Sequence, residues 1–248
     1  ANFFSEFNEI MMKMTMIVMK AAPVGVFCLI ATTFSNIGWS AFAPMLKYIF
    51  AVMLALVLQC LITYMSMLKV FTKLNPLTFL KKFFPVMSFA FSTSSSNATI
   101  PLSIETLDNE MGVSEKISSF TVPLGATINM DGTAIMQGVA VVFISQAFGI
   151  ELGLNAYLTV ILTATLASIG TAGVPGVGLI TLSMVLNSVG LPVEGIGIIM
   201  GIDRILDMTR TAVNVTGDAI CTTIVAKQEG EFNEETFYSD VIELNKAI

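Results

Sequence analysis

The sequence predicts an all-α integral membrane protein, built from broken transmembrane helices and two re-entrant helical hairpins in inverted repeats. Only 12% of the 248 residues are charged and 54% are hydrophobic, whereas about 25% of the residues in a soluble domain are charged. The apolar residues form long runs, not the alternating segments of about ten residues that mark a membrane β-barrel. Two of these runs have a polar or glycine-rich centre.

Two membrane spans come first. Residues 10–37 form an apolar run with Pro23 near its middle, and residues 41–68 form a second run. Four lysines follow within residues 69–82, so the positive-inside rule places that loop in the cytoplasm. The connection at residues 35–42 has no lysine or arginine and is predicted to lie outside.

Two later runs are too interrupted to be ordinary spans. Residues 77–106 contain the serine-rich segment 92–99, and residues 156–189 contain the glycine-rich segment 168–178. Non-helical backbone at membrane depth is tolerated only where protein buries it or where it lines a water-filled cavity. Both segments therefore favour re-entrant hairpins whose tips stop at mid-membrane. The alternatives are a flexible serine linker and plain glycine packing between helices.

A helix with polar residues follows each hairpin. Residues 120–148 contain the segment 129–133 (Asn-Met-Asp-Gly-Thr), and residues 195–226 contain five formal charges. The hairpin-plus-helix unit thus occurs twice. The lysine distribution places the base of the first hairpin inside and the base of the second outside, so the two units are inverted. Inverted repeats with discontinuous helices are the pattern of secondary transporters.

The charges of the last helix form one stripe. Each would cost roughly 2.5–3.5 kcal/mol at the centre of a bilayer, so they cannot face lipid. At about 100° per residue, one face of the helix carries most of them: Asp203, Asp207, Arg210, Asn214 and Asp218. The stripe lines a polar site or forms a structural ladder of ion pairs. Asp207 and Arg210 together can hold the ammonium group and a carboxylate of one zwitterionic ligand.

The two hairpin centres offer different ligands. In the first, Ser95, Ser96 and Asn97 present hydroxyl, amide and free helix-end N–H groups to an anion. In the second, six polar or glycine positions and Pro175 make a continuous helix implausible. We expect a mobile gate there, whose backbone carbonyl groups are available to a cation.

The segment 129–133 predicts a cation site. Asp131 supplies a carboxylate at membrane depth, and unwinding near Gly125 and Gly132 would free carbonyl oxygens. Hard cations prefer such oxygen ligands. The alternative is a simple kink, since Asp-Gly favours a turn.

Composition excludes several other functions. The chain has no histidine, which removes a Ser-His-Asp triad and a histidine-ligated zinc. Cys28, Cys60 and Cys221 are far apart in apolar surroundings and are expected to be small buried residues. The net charge is −6, of which residues 227–248 carry most as an acidic tail that is expected to be solvated and partly helical or disordered. No nucleic-acid partner is expected.

Four motifs resemble, in their order and topology, those of the dicarboxylate/amino acid:cation symporter family, the glutamate and aspartate transporters. They lie at residues 94–101, 129–133, 170–176 and 207–214. The resemblance runs from about residue 10 to residue 228. It implies the glutamate-transporter fold, a multi-pass protein of the cell (inner or plasma) membrane, and a homotrimer. Each subunit would move a transport domain across the bilayer like an elevator.

The same resemblance implies a division of the chain. Residues 1–40 would belong to the scaffold that forms the trimer, residues 41–226 to the transport domain, and residues 227–248 to a cytoplasmic tail. Family members have further helices before this region, and the chain begins with Ala1. The sequence is therefore expected to be a fragment that lacks the N-terminal helices.

The resemblance also implies substrate-binding positions: Ser94, Ser95, Ser96, Thr133, Val174, Gly178, Asp207, Arg210, Thr211 and Asn214. Asp207 would bind the substrate amino group. Arg210 and Thr133 would bind the side-chain carboxylate, and Asn214 and Ser96 the α-carboxylate.

Two to three sodium sites are implied in the same way. The first would use the carbonyl groups of Gly125, Asn129 and Asn214 and the carboxylate of Asp218. The second would use the carbonyl groups of Thr127, Ser168, Ile169 and Thr171. The third would use the side chains of Asn129 and Asp131, and an early helix outside this chain would complete it.

The chain departs from the family pattern at a few positions. An additional arginine that family members carry on the first hairpin or the last helix is absent at Ser94 and Met208. We hypothesise that Arg204 substitutes for it by reaching the serine-rich tip. Gln137 stands where animal transporters carry a proton-accepting glutamate, which argues against proton coupling there.

These features favour L-glutamate and/or L-aspartate as the substrate. Arg210 demands a second carboxylate, since an unpaired buried charge is costly, and Asp207 demands an ammonium group. The alternatives are a dicarboxylate or neutral amino acid symporter of the same family and a channel with anion conductance. An intramembrane enzyme is disfavoured, because Ser95 and Ser96 would lack a histidine base.

Overall fold

The computed structural model describes residues 42–239 and, before them, only isolated positions between residues 7 and 35. Two predictions therefore fall outside the described residues, apart from these isolated positions. They are the span at residues 10–37 with Pro23 and the scaffold part at residues 1–40. The described part of the chain is all-helical, with one isolated β-bridge between Val113 and Phe232. The predicted helical class is thereby confirmed.

The first long helix is continuous but changes its winding. Helix α1 (Phe42–Leu58) runs through a π-helical turn (Gln59–Tyr64) into α2 (Met65–Thr72). A left-handed Lys73, with φ 62°, ends it. The helix therefore continues beyond the predicted end at residue 68. The π-helical turn changes the direction of the polar side chains at its two ends relative to a regular α-helix. Such turns are often found at functional sites.

The serine-rich segment joins two helices that pack against each other, which we call the first helical pair: α3 (Pro76–Thr93) and α4 (Ser96–Asn109). Asn75 caps α3 by accepting a hydrogen bond from the Leu77 amide at 2.9 Å. Ser94 adopts a left-handed conformation with φ 52° and ends α3. Ser95 then caps α4, because its hydroxyl oxygen accepts a hydrogen bond from the Ala98 amide at 3.2 Å.

The glycine-rich segment joins the second helical pair, α7 (Leu154–Ser168) and α8 (Val177–Ser188), which also pack together. The glycine-rich loop between them (residues 169–176) contains no α-helix. It turns through left-handed backbone at Gly170 and Gly176, with φ 81° and 78°, a conformation that only glycine adopts without cost.

The helix predicted at residues 120–148 is broken into α5 (Glu115–Ile128) and α6 (Asp131–Ala147). The expected unwinding is found close to Gly132 but not at Gly125, which lies inside α5. A β-carbon at Gly125 would lie 2.6 Å from a carboxylate oxygen of Asp218. These glycines thus permit close helix packing, and the helix unwinds between them, at Asn129 and Met130.

Helix α10 (Asp203–Gln228) is the core of the molecule and follows a short helix α9 (Ile196–Met200). It packs against all of α1 to α6, and every residue from 210 to 220 is buried. The run predicted at residues 195–226 therefore divides at Gly201 and Ile202, and all its charges lie on α10.

The outer surface of the molecule is apolar. Two segments are long and apolar enough to cross a membrane, Ala43–Thr72 and Glu115–Ala147. In the apolar stretch of 18 residues within the first segment, only 28% is buried. Helix α7 exposes a row of large side chains: Leu158, Ile161, Leu162 and Leu166. Such a surface requires lipid or another protein as its neighbour.

The segment after α10 is docked against the base of the first helical pair, with a short helix α11 (Glu234–Phe237). The Asn233 amide donates to the Gly112 carbonyl at 2.7 Å, and the Phe237 side chain is fully buried. The buried ammonium group of Lys82 donates to the carbonyl oxygens of Glu110 and Thr236 at 2.8 and 3.0 Å. The part of the predicted solvated tail that the structure describes is therefore a packed element, and residues 240–248 lie outside the description.

We expect Gly112→Ala to loosen this docked segment. Gly112 has φ 71°, and an added β-carbon would overlap the carbonyl oxygen of Asn233. Gly149→Ala is the matched control, because Gly149 has φ 66° but no atom within 4 Å of an added β-carbon. Both changes carry the left-handed backbone cost of about 1–2 kcal/mol, so the collision should lower the melting temperature of Gly112→Ala further. Equal melting temperatures would contradict the docking.

Candidate functional site

A narrow cavity lies where the two helical pairs meet α6 and α10. About 260 Å³ along its lining is not filled by protein atoms when the open solvent at its mouth is included, whereas its interior has room for about one water molecule. The residues that line it are Ser94, Ser96, Met130, Thr133, Ala172, Gly173, Val174, Val177, Gly178, Asp207, Arg210, Thr211 and Asn214. Every predicted substrate-binding position except Ser95 is among them.

A buried ion cluster forms one wall of the cavity. The side chain of Arg210 is only 1% exposed. Its Nη1 donates to Asp203 Oδ1 at 3.0 Å, and its Nη2 donates to Asp207 Oδ1 at 2.7 Å. One turn of helix separates each of these residues from the next, so α10 itself places them together. The cluster presents one cation and one carboxylate side by side to the cavity.

The tips of the two helical pairs are in direct contact. The Ser95 hydroxyl donates to the Gly173 carbonyl at 2.7 Å, and the backbone amide of Asn97 donates to the same oxygen at 3.2 Å. A β-carbon at Gly173 would lie 2.8 Å from Asn97 Oδ1, so glycine is needed for this approach. Ser95 is thus placed between the tips and not in the cavity, whereas the neighbouring Ser94 and Ser96 line it.

A further hydrogen bond ties the glycine-rich loop to the ion cluster. The Gly176 amide donates to Asp207 Oδ2 at 3.1 Å, while the other oxygen of Asp207 accepts from Arg210. Asp207 therefore connects the loop to α10. A group that displaces the Gly176 amide or the Arg210 guanidinium from Asp207 would therefore change how the loop is held against α10.

A second polar cluster lies below the cavity, at the break between α5 and α6. We call it the Asn129 cluster: Asn129, Asp131, Asn214 and Asp218. The Asn129 amide nitrogen donates to Asp218 Oδ1 at 2.9 Å and to the Asn214 carbonyl at 3.2 Å. The backbone amide of Asn129 donates to the Gly125 carbonyl at 2.7 Å. The predicted ligands of the first sodium site are therefore gathered around one residue.

Asp131 is held by two residues that the sequence interpretation did not identify. The Gln59 side-chain amide donates to Asp131 Oδ2 at 2.9 Å, and the Tyr64 hydroxyl donates to the same oxygen at 3.0 Å. They stand at the two ends of the π-helical turn. A glutamine inside an apolar run was the available signal, because polar residues at membrane depth mark functional positions.

In the part of the chain that the structure describes, the carboxylates of the Asn129 cluster have no cationic partner. Asp218 is 3% exposed, and neither Asp218 nor Asp131 forms an ion pair with any described residue. Their hydrogen-bond donors are neutral amide and hydroxyl groups. Within the described chain no three His, Cys, Asp or Glu side chains converge as metal ligands. A cation here would have to use carbonyl oxygens besides the carboxylates.

The positions predicted for the second sodium site also come close to one another. The Gly170 amide donates to the Thr127 carbonyl at 2.8 Å, and the Thr171 amide donates to the Ser168 carbonyl at 3.2 Å. Ser168 and Thr171 are buried, whereas Thr127 and Ile169 are exposed. The end of α5 is thus joined to the start of the glycine-rich loop.

Arg204 and Gln137 lie next to the ion cluster and the cavity. Arg204 Nη1 is 4.0 Å from Asp207 Oδ2, and its side chain does not line the cavity. Its proposed contact with the serine-rich tip stays a prediction. The Gln137 side-chain amide donates to the Thr181 hydroxyl at 2.8 Å, which links α6 to α8.

Sequence comparison identifies the relatives of this chain. It is 43% identical over 225 residues to the excitatory amino acid transporter of Caenorhabditis elegans, covering 90% of this chain and 45% of the relative. It is 38% identical over 232 residues to the proton/glutamate-aspartate symporter of Escherichia coli (strain K12), covering 94% and 53%. With the proton/sodium-glutamate symport protein of Geobacillus stearothermophilus it shares 36% identity over 245 residues, covering 99% and 58%.

The chain thus spans about half the length of the curated relatives it matches. The family profile that matches it covers residues 1–228, which include every element of the cavity and of the Asn129 cluster. The resemblance inferred from the motifs is confirmed: the chain belongs to the sodium:dicarboxylate symporter family.

Proposed function

We propose that this protein is a secondary active symporter that takes up L-glutamate and/or L-aspartate together with sodium ions. The observation that carries the proposal is the buried pair of opposite charges, Asp207 and Arg210, 2.7 Å apart in the wall of one cavity. Relatives named as glutamate and aspartate symporters support the substrate class. Membership in a symporter family counts against the intramembrane enzyme.

The ion cluster suits an acidic amino acid better than its alternatives. The ammonium group of the substrate would replace Arg210 as a partner of Asp207, and its side-chain carboxylate would take the freed guanidinium. A neutral amino acid would leave Arg210 without that new carboxylate, and a plain dicarboxylate would leave Asp207 without an ammonium group. Each mismatch displaces an existing partner of a buried charge without supplying a new one of opposite sign, which is costly.

Substrate entry would require the two tips to separate, because the cavity has little more room than one water molecule needs. Among the described residues, few hydrogen bonds tie the glycine-rich loop to elements outside the second helical pair: those from Ser95 and Asn97 to Gly173, from Gly176 to Asp207, and from Gly170 to Thr127. The ammonium group of a substrate would compete for Asp207 directly. We therefore propose this loop as the gate.

The Asn129 cluster supports sodium as the coupling ion. Asp218 and Asp131 are carboxylates without a cationic partner among the described residues, and carbonyl oxygens of Gly125 and Asn214 lie beside them. Rotation of the Asn129 side chain would replace its nitrogen by its oxygen and complete an oxygen-lined site. Such ligands suit hard cations. The predicted second site, at Thr127 and residues 168–171, would add a further ion.

The membrane arrangement belongs to the same proposal. The two helical pairs would be re-entrant hairpins in inverted repeats, with both tips at mid-membrane. The protein would be a homotrimer whose transport domains move like elevators, with the C-terminus in the cytoplasm. A channel with anion conductance is the alternative function. The closed contact between the two tips favours alternating access, because a channel needs a continuous pore.

Isothermal titration of the purified full-length protein with L-aspartate and L-glutamate tests the proposal. We expect at least one of them to bind in sodium, and the affinity to fall by roughly 5- to 150-fold without sodium, the usual range for coupled ligands. Choline replaces sodium in the control. Succinate should compete poorly. Sodium-independent binding, or succinate competing as well as L-aspartate, would contradict the assignment.

Arg210→Ala should remove binding of acidic amino acids. Loss of a buried charge partner costs roughly 3–5 kcal/mol, which corresponds to at least about a hundredfold in affinity. Thr209→Ala is the control on the same helix, since Thr209 bonds only to the carbonyl of its own helix in the described contacts. Neutral amino acids should bind Arg210→Ala at least as well as the wild type. Retained L-aspartate affinity in Arg210→Ala would exclude the proposed role.

Gly217→Ala tests the Asn129 cluster. An added β-carbon would lie 2.5 Å from Asn129 Nδ2 and closer still to the Tyr64 hydroxyl, so both groups must move away from the carboxylates. We expect weaker sodium binding and a lower melting temperature. The control is Gly138→Ala in α6, where an added β-carbon meets nothing within 4 Å. That change should stabilise the helix by about 0.5–1 kcal/mol. Unchanged sodium dependence in Gly217→Ala would dismiss the proposed site.

A further inference from the structure

The segment after α10, residues 229–239, closes over the base of the first helical pair, and we call it the C-terminal strap. Its backbone pairs with the connection between α4 and α5. The Ser114 amide donates to the Glu231 carbonyl at 3.0 Å, and the Asn233 amide donates to the Gly112 carbonyl at 2.7 Å. The family profile ends one residue before the strap, so family membership does not account for this contact.

The strap also holds α3, so it ties both helices of the pair. The Lys82 side chain is buried, and its ammonium group donates to the carbonyl oxygens of Glu110 and Thr236 at 2.8 and 3.0 Å. The backbone amide of Asn75, the N-cap of α3, donates to the Tyr238 hydroxyl at 3.2 Å. One segment therefore bonds to the start of α3 and to the connection that follows α4.

Apolar packing anchors the strap in the core. The Phe237 ring is fully buried, and its centroid lies 4.9 Å from that of Tyr238 and 5.8 Å from that of Phe232. Phe232 forms the isolated β-bridge with Val113, which is itself buried. Aromatic side chains contribute strongly to core packing, so the strap cannot leave the base of the pair without exposing a large apolar surface.

The base of the second helical pair is held differently. That pair packs against α6 and α9, whereas the first pair packs directly against α10. Among the described residues, one hydrogen bond joins α7 or α8 to a helix outside the pair, from the Gln137 side-chain amide to the Thr181 hydroxyl. At Gly149 and Gly190, which flank the pair, an added β-carbon would meet nothing within 4 Å. No close packing therefore fixes these two connections.

A fixed base restricts how the two tips can separate. Helix α3 has 18 residues, which corresponds to a length of about 27 Å. A small tilt at its base would carry Ser95 and Asn97 away from the Gly173 carbonyl that they bind. The strap opposes this tilt, because the base can move only if the bonds to the strap break.

We propose that the C-terminal strap is a lock on the first helical pair. While the strap is docked, the two tips part by movement of the glycine-rich loop, and the first pair stays in place. Release of the strap frees the first pair to tilt and gives the cavity a second way to open. The effect on substrate release rests on the proposed function, whereas the effect on the tips does not.

Ser114→Pro tests the lock without changing a buried side chain. Ser114 has φ −60°, which suits proline, but proline has no amide to donate to Glu231 and its ring would push that carbonyl away. Ser114→Ala is the matched control, because it keeps the amide and the Ser114 side chain makes no capping bond. The measurement is hydrogen exchange of the ligand-free full-length protein.

We expect two segments to exchange faster in Ser114→Pro, residues 231–239 and the tip at residues 94–98. The increase should be roughly tenfold or more, as for a segment that opens locally. Both segments should exchange at the wild-type rate in Ser114→Ala. In saturating sodium, L-aspartate should dissociate faster from Ser114→Pro than from Ser114→Ala.

Lys82→Met breaks the tie to α3 by a different route and should give the same pattern of exchange. Lys81→Met is its control, since Lys81 is the exposed neighbour of Lys82 in the same helix. A strap that exchanges faster while the tip keeps the wild-type rate would overturn the lock, and so would an unchanged strap in both Ser114→Pro and Lys82→Met. If the wild type binds neither L-aspartate nor L-glutamate, the proposed function fails, and the exchange rates still decide on the lock.

Discussion

Burial of charge on α10 is the constraint on which the rest of the structure depends. Asp203, Asp207, Arg210 and Asp218 are all buried on one helix that α1 to α6 surround. Charges in such surroundings persist only with partners. Three of them form the ion cluster, whereas the one partner that the described residues give Asp218 is the side-chain amide of Asn129. The neighbouring helices break or change their winding at the positions where they must supply polar groups to these charges.

Glycine makes these approaches possible. At Gly125, Gly173 and Gly217 a β-carbon would come within 2.8 Å of a polar atom from another element. Each of these glycines faces a side chain of the Asn129 cluster or of the first helical pair. The backbones can thus pack closely enough for amides, carbonyl groups and carboxylates to bond directly, without water between them. A larger residue at any of the three would separate elements that the site needs in contact.

The sequence was most informative where polar residues interrupt apolar runs. Charge on one face of a helix predicted the buried stripe, and the serine-rich and glycine-rich centres predicted where two helical pairs turn. The cost of polar groups in lipid makes such residues conspicuous, so the segments that line the cavity could be expected, whereas Met130, Ala172, Gly173 and Val177 were not identified as lining residues. The family resemblance supplied the individual roles, which composition and spacing could not.

Other features depend on contacts that a linear pattern does not encode. The partnership of Gln59 and Tyr64 with Asp131 requires the π-helical turn, which no residue type in α1 specifies. Gly125 suggested unwinding, yet it lies inside α5 and permits close packing against Asp218, and the break falls at Asn129 and Met130, close to Gly132. The acidic composition of the last residues suggested a solvated tail, because charge dominated the pattern. The described part of it is docked by one buried aromatic, Phe237, by backbone pairing to residues 112–114, and by the bond from Lys82 to the Thr236 carbonyl.

The cavity and the Asn129 cluster share residues, and this gives the proposed coupling a physical route. Asn214 lines the cavity, while its carbonyl oxygen accepts from Asn129 and its Oδ1 accepts from the Gly132 amide at 2.8 Å. A cation that reorients Asn129 would therefore release the Asn214 carbonyl, at the residue expected to hold the α-carboxylate. A substrate that fixes Asn214 would in turn favour the cation-bound arrangement. By thermodynamic linkage, each ligand would change the affinity for the other by the same factor, and the shared residue offers a direct route for this coupling, with no distant pathway required.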